Sequence, residues 1–132
     1  AFLTLHPTKY ADLLQKKLEN HDTKVFLVNT GWSGGAYGTG ERMPIKATRA
    51  CIDGILSGDI NDAQFDKDPV FGFEFPKALP GVPDGILDPR AAWEDKNAYD
   101  DQRVKLAGMF QENFAKYVKP GFTDYSPHGP KA

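Results

Sequence analysis

The chain has 132 residues, 26% of them charged, with a net charge of −2 and no basic stripe, which fits one domain (residues 1–132) and argues against a nucleic-acid partner. Its single cysteine excludes an internal disulfide framework and suits a reducing, cytoplasmic compartment. No apolar run reaches transmembrane length, the start lacks the basic region of a signal peptide, and an opening Ala-Phe-Leu-Thr-Leu without initiator Met predicts a piece of a longer chain.

Residues 2–5 read as a short extended segment ended by His6-Pro7, because the residue before a proline avoids the helical region. Thr8 is placed to cap a helix running to about Asn20, with Tyr10, Leu13, Leu14 and Leu18 on one apolar face and Lys16 and Lys17 near its negative end. His21-Asp22-Thr23 then turns into residues 25–29 (Val-Phe-Leu-Val-Asn). Their β-branched and aromatic content predicts a short buried strand.

Residues 31–40 hold five glycines in ten, a density that predicts a tightly folded loop approached closely by a ligand or by other backbone. The two common phosphate motifs do not fit. Gly35 and Gly40 have P-loop spacing, but Glu41-Arg42 stands where Lys-Ser/Thr is needed. After Gly38 and Gly40, Met43 occupies the third small position of a dinucleotide fingerprint. Spacing alone therefore leaves a structural loop and a ligand loop both open.

A helix is expected over Ile45–Ser57, with Pro44 at its start and Gly58 at its end. Thr48, Cys51, Ile52, Ile55 and Leu56 share one face; Ile52 and Ile55 are expected inside and Lys46 outside. On that face Cys51 reads as a buried, inert thiol. Arg49 is assigned an ion pair with Asp53 at i+4, in preference to a phosphate contact. Trp32 is expected to anchor the glycine loop on the core.

The acidic stretch 59–68 lacks the ligand and glycine that a calcium loop needs where Ala63 and Gln64 stand, so it reads as a solvated turn or short helix. Alternation over residues 70–75 predicts a strand with Phe71, Phe73 and Phe75 on one face. Four prolines then enforce an ordered loop to Arg90, in which Asp88-Pro89-Arg90 is a rigid turn with a surface charge. The last helix is expected over residues 99–118, with Leu106, Phe110, Phe114 and Tyr117 inward and a mobile tail beyond Pro120-Gly121. His6, His21 and His128 are scattered, supporting neither a metal site nor a triad.

Several stretches are similar to one family. They are Asn29-Thr30-Gly31-Trp32-Ser33-Gly34-Gly35, the run from Gly40-Glu41-Arg42-Met43-Pro44 to Ala50, Leu3-Thr4-Leu5-His6-Pro7-Thr8, Leu79-Pro80-Gly81-Val82, Ile86-Leu87-Asp88-Pro89-Arg90 and Gly129-Pro130-Lys131-Ala132. In order and from end to end, the chain resembles the C-terminal part of ATP-dependent phosphoenolpyruvate carboxykinase, whose own chain is several times longer.

The resemblance implies an α/β fold, a mixed α/β nucleotide-binding lobe, in which the glycine loop and helix start form the adenine side of an ATP site. Arg42, Met43 and Thr48 are the nucleotide-contacting positions it implies. Glu41 departs from the basic residue usual there, which bears on local charge. The implied reaction converts oxaloacetate and ATP to phosphoenolpyruvate, carbon dioxide and ADP by metal-assisted phosphoryl transfer, in the gluconeogenic or the reverse, anaplerotic direction. The P-loop, the ligands for Mg²⁺ and Mn²⁺ and the oxaloacetate-binding arginines lie outside a segment like this one, so it contributes no catalytic and no metal-binding residue and is expected to be inactive alone. The alternative is a stand-alone purine-nucleotide-binding or structural module derived from that lobe.

Overall fold

The computed structural model of the protein describes residues 3–131, so the extended start expected from residue 2 lies partly outside the described residues. The elements in chain order are helix α1 (Pro7–His21), a hairpin of β1 (Trp32–Ser33) and β2 (Glu41–Arg42), helix α2 (Ile45–Ser57), a second hairpin of β3 (Phe65–Lys67) and β4 (Glu74–Pro76), and helix α3 (Lys96–Ala115). Single 3₁₀ turns at Asp59–Asp62 and Ser126–His128 complete the order. This is a mixed α/β arrangement whose two sheets are separate antiparallel pairs.

α1 starts on Pro7, where the missing N–H is harmless. Thr8 is not the cap but a buried residue inside the first turn, its Oγ1 2.9 Å from Nδ1 of His6. Asp22 ends the helix in the left-handed region with φ 47°, which a short polar side chain tolerates. Leu13 and Leu14 of the expected inner face are exposed.

Residues 25–29 do not form a strand. No backbone hydrogen bond joins residues 24–30 to any other part of the chain among the described residues, and Val25, Phe26 and Leu27 are exposed. A strand is defined by its neighbours, and none pairs with this segment among the described residues.

α2 covers the expected residues and ends on Gly58 at φ 90°. Its buried face, however, is Ala47 and Gly54, about one residue around from the expected stripe. The small side chains explain the rotation. A Cβ on Gly54 would meet Leu79 Cδ2 at 3.7 Å, and one on Gly81 would meet Ala50 Cβ at 3.5 Å. The proline-rich loop thus lies against the helix where the helix is thinnest. Ile52, expected inside, is exposed with Leu56, while Ile55 is half-buried and Lys46 exposed.

The second strand expected at residues 70–75 is shorter and later. Asp68 Oδ1 accepts from the N–H groups of Val70 and Phe71 at 2.9 and 2.6 Å, folding residues 69–72 into a turn and delaying β4 to Glu74. Phe65 pairs with Pro76 and Lys67 with Glu74 across that hairpin.

α3 begins three residues earlier than expected, because the Asp95 carboxylate caps it by accepting from Asn97 and Ala98 N–H. Only Ala107 of this helix is buried; Leu106 and Phe110, expected inside, are exposed. The tail is held rather than mobile. Tyr125 donates its hydroxyl to Asp12 Oδ1 at 2.8 Å, Gln111 donates to the Pro130 carbonyl at 2.8 Å, and Lys131 N–H donates to the Val70 carbonyl.

The core is small. Among the described residues its buried apolar members are Ala47, Ile60, Leu79 and Ala107, and none of the large side chains is fully buried.

Candidate functional site

The glycine-rich segment folds into the first hairpin, with Trp32 opposite Arg42 and Ser33 opposite Glu41. Its glycines have a local purpose. A Cβ on Gly40 would lie 2.5 Å from the Gly35 carbonyl oxygen and 2.6 Å from that of Ser33. At Gly34, where φ is +79°, a Cβ would lie 2.9 Å from the Ala92 carbonyl oxygen. Close approach by the chain's own backbone therefore accounts for glycine at both positions. Of the two readings left open by spacing, the structural one explains these residues.

Trp32 does not anchor the loop in the core. It is half-exposed and meets the exposed Tyr37 edge-to-face, with ring centroids 5.2 Å apart.

The hairpin delivers the chain into α2 through a fixed joint. Asn29 Oδ1 accepts from Gly31 N–H at 2.9 Å, its amide donates to the Trp32 carbonyl, and Met43 N–H donates to the Gly31 carbonyl at 2.8 Å. Arg42 therefore projects from β2 and is exposed, with no carboxylate within ion-pairing distance among the described residues. Glu41 is likewise exposed.

Thr48 lies in the first turn of α2, half-buried. Its N–H is bonded to the Pro44 carbonyl at 3.1 Å, while no hydrogen bond to its hydroxyl occurs among the described residues. The ion pair expected between Arg49 and Asp53 is not formed among the described residues. Cys51 is half-buried, and burial pushes its thiol above the ordinary value, as an inert cysteine requires.

Beside the hairpin opens a groove of about 1530 Å³, with residues 24–29, Met43, Cys51 and Ile55 among its walls. Of the three nucleotide positions implied by resemblance, only Met43 lines it; Arg42 and Thr48 do not.

The far wall carries a charge network that sequence reading missed. Arg90 grips Asp100 through Nε and Nη2 at 2.9–3.1 Å, so the charge in the Asp-Pro-Arg turn is paired. Arg103 donates to Asp100 Oδ1 and to Asp68 Oδ2, each at 3.0 Å. The hydrogen bonds from Arg90 hold the Asp100 carboxyl below its ordinary value, with the charge of Arg103 adding to them, and Asp100 in turn raises Arg90. Tyr99, over which the Arg103 guanidinium lies at 5.4 Å, is pushed up mainly by burial. The i,i+3 spacing of Asp100 and Arg103 was a visible signal for half of this network; Asp68, 35 residues from Arg103, gave none.

No cluster of three or more His, Cys, Asp or Glu that could hold a metal ion occurs among the described residues. No helix among them is long and apolar enough to cross a membrane.

Comparison with known proteins gives one answer. The family described as phosphoenolpyruvate carboxykinase matches residues 1–85. The phosphoenolpyruvate carboxykinase (ATP) of Sulfurimonas denitrificans is 54% identical over 132 residues, covering 99% of this chain and 25% of that protein. That of Paracoccus denitrificans is 57% identical over 117 residues, covering 89% and 22%. That of Thermus thermophilus is 48% identical over 130 residues, covering 98% and 25%. The chain thus spans about a quarter of the length of the curated relatives it matches. It belongs to the phosphoenolpyruvate carboxykinase family.

Proposed function

We propose that this chain is the adenine-side portion of an ATP-dependent phosphoenolpyruvate carboxykinase. That enzyme is a cytoplasmic carboxy-lyase converting oxaloacetate and ATP to phosphoenolpyruvate, carbon dioxide and ADP in gluconeogenesis or its reverse. The observation that carries the reading is identity of about half over nearly the whole chain to proteins so named.

The geometry around α2 supports the assignment of Arg42 and Thr48. Each has a polar group with no competing partner within the chain among the described residues. A free guanidinium at the hairpin exit lies over a purine face or reaches a phosphate. A hydroxyl in the first helical turn bonds the base. Met43 adds an adaptable apolar surface through its side chain. Phosphoryl transfer needs divalent metal for charge neutralisation, and Mg²⁺ and Mn²⁺ do not fit the residues described; in this reading they are held by the rest of the longer protein.

The test uses a chimera in which residues 1–132 replace the aligned segment of the Sulfurimonas denitrificans enzyme. Arg42→Ala and Thr48→Ala are each expected to weaken ATP binding by about 1–3 kcal/mol, roughly 5- to 150-fold, with little change in melting temperature. If both variants bind ATP like the parent chimera, or both simply unfold, the adenine-side assignment is wrong.

A further inference from the structure

α3 begins on a residue of the wrong charge. Lys96 is its first residue, at the end where the helix dipole disfavours a cation. The ammonium turns back out of the helix: Nζ donates to the Ala91 carbonyl at 2.7 Å and also to the Trp93 carbonyl. Two of its three donors are thus given to the loop that precedes α3. A local rule broken in this way marks a side chain kept for its tertiary contacts.

The two carbonyls held by Lys96 flank that of Ala92, which accepts no backbone hydrogen bond among the described residues. It lies against the glycine hairpin instead, where a Cβ on Gly34 would come within 2.9 Å of its oxygen. The hairpin has little else to fix its place. Among the described residues, no hydrogen bond joins residues 31–43 to any residue outside 29–43. Its position is therefore set by packing, and the Ala92 carbonyl is a backbone stop next to β1. Directly beyond that stop, Ser33 pairs with Glu41 and Trp32 with Arg42, so a shift of β1 is passed on to the strand that carries the guanidinium. The far end of the same loop is fastened separately, by Arg90 gripping Asp100 and by Ala92 N–H donating to the Asp88 carbonyl at 3.3 Å.

We propose that Lys96 is a positioning residue for the nucleotide hairpin: by clamping the carbonyls of Ala91 and Trp93 it fixes the Ala92 stop, and through it the placement of Arg42. The effect on the hairpin rests on this geometry alone; the effect on ATP rests also on the adenine-side reading.

The test compares Lys96→Met, Lys96→Arg and Arg42→Ala in the chimera. Lys96→Met keeps the aliphatic stem, and removing a cation from the helix start offsets part of the loss of two hydrogen bonds. Its melting temperature is expected to stay within about 3 °C of the parent. Without nucleotide, the amides of Gly40 and Met43, both bonded inside the hairpin, are expected to exchange about tenfold faster than in the parent. Those of Ile52 and Ile55 in α2 are expected to change by less than about twofold. ATP affinity is expected to fall about 5- to 20-fold, and Lys96→Arg, which retains donors for both carbonyls, to bring both readouts back to within about threefold of the parent. Hairpin amides within about threefold of the parent in Lys96→Met, equal acceleration in α2, or loss of folding each overturn the proposal, since each removes the selective effect on the hairpin. It is also overturned if Arg42→Ala weakens ATP binding while a loosened Lys96→Met variant binds ATP like the parent. If the hairpin loosens and neither variant changes ATP affinity, the clamp is supported and the adenine-side assignment is the reading that fails.

Discussion

Met43 donates its backbone N–H to the Gly31 carbonyl at 2.8 Å, closing the glycine hairpin on itself at the step where the chain enters α2. The bond sets what Met43 can offer a nucleotide. Its N–H is already committed, so only the side chain remains to meet a purine ring. Met43→Leu, which keeps apolar volume, is expected to leave ATP affinity of the chimera within about threefold of the parent. Met43→Ala is expected to weaken it by about tenfold, as loss of packing by roughly 1–2 kcal/mol implies. Equal affinities for both variants, measured by calorimetry, would remove Met43 from the site.

Gly38 and Gly40 stand two residues apart in that hairpin and face opposite consequences on substitution. A Cβ at Gly38 meets nothing within 4 Å, so Gly38→Ala carries only the strain of φ +92°, on the order of 1 kcal/mol. At Gly40 a Cβ runs into the backbone oxygens of Gly35 and Ser33, which belong to the same hairpin and have nowhere to move. Gly40→Ala is expected to cost about 3 kcal/mol or more and to lower ATP affinity with it, because the displaced strand carries Arg42. Chemical denaturation of the two variants in the chimera separates these expectations.

Asp68 has two functions that a double-mutant cycle can part. One oxygen caps the turn at Val70 and Phe71; the other receives Arg103, in a pair only 15% exposed on each side. Removing Arg103 leaves that carboxylate buried and under-compensated, and Arg103→Met is expected to destabilise by about 3 kcal/mol. Asp68→Ala should cost at least as much, since the turn cap goes as well. The double variant should lose less than the sum; strict additivity would show that the ion pair contributes nothing.

Catalysis by the 132-residue chain alone is not expected. Given ATP, oxaloacetate, Mg²⁺ and Mn²⁺, the purified chain should form no phosphoenolpyruvate, because the proposed reaction needs a metal-ligand set, which does not occur among the described residues, and the Lys-Ser/Thr of a P-loop, where Glu41-Arg42 stands. Nucleotide-dependent product formation in a coupled assay would overturn this.

What the sequence disclosed divides along a physical line. Local signals worked: proline and glycine bounded α2 at the residues observed, and the prolines kept the segment to Arg90 irregular. Signals that need a partner misled. Residues 25–29 have the composition of a strand, but a strand also needs a neighbour to pair with, and no such pairing occurs among the described residues. The apolar stripe of α2 is real, yet this chain covers the small-residue face beside it. Long-range fastenings were invisible for the opposite reason. Nothing local marks Tyr125 as the partner of Asp12, 113 residues away, so the sequence alone predicts a mobile tail. At the site, Met43 was found to line the groove, and the paired Arg90, Asp100, Arg103 and Asp68 on its far wall came from tertiary contacts alone.

The fastening of the tail should have limits at both ends of the pH scale. Asp12 lies below its ordinary value of 3.8, first because Tyr125 donates to it, then because of Thr123 and the charge of Lys9. A depressed carboxyl value means stability that is fully present above 3.8 and lost as pH falls through the lower, folded-state value. Tyr125 lies above its ordinary value of 10.0, because its proton is the one shared with Asp12 and because burial and the nearby Asp12 charge disfavour a phenolate. That contribution is complete below 10.0 and disappears as pH rises through the raised value. Tyr125→Phe removes the shared proton and keeps the ring. In the chimera, the melting-temperature gap between parent and Tyr125→Phe should therefore be flat across neutral pH and narrow toward both extremes. Asp12→Asn should abolish the narrowing in acid. A gap that stays constant from acid to alkali would show that the tail is held by its packing and not by this hydrogen bond.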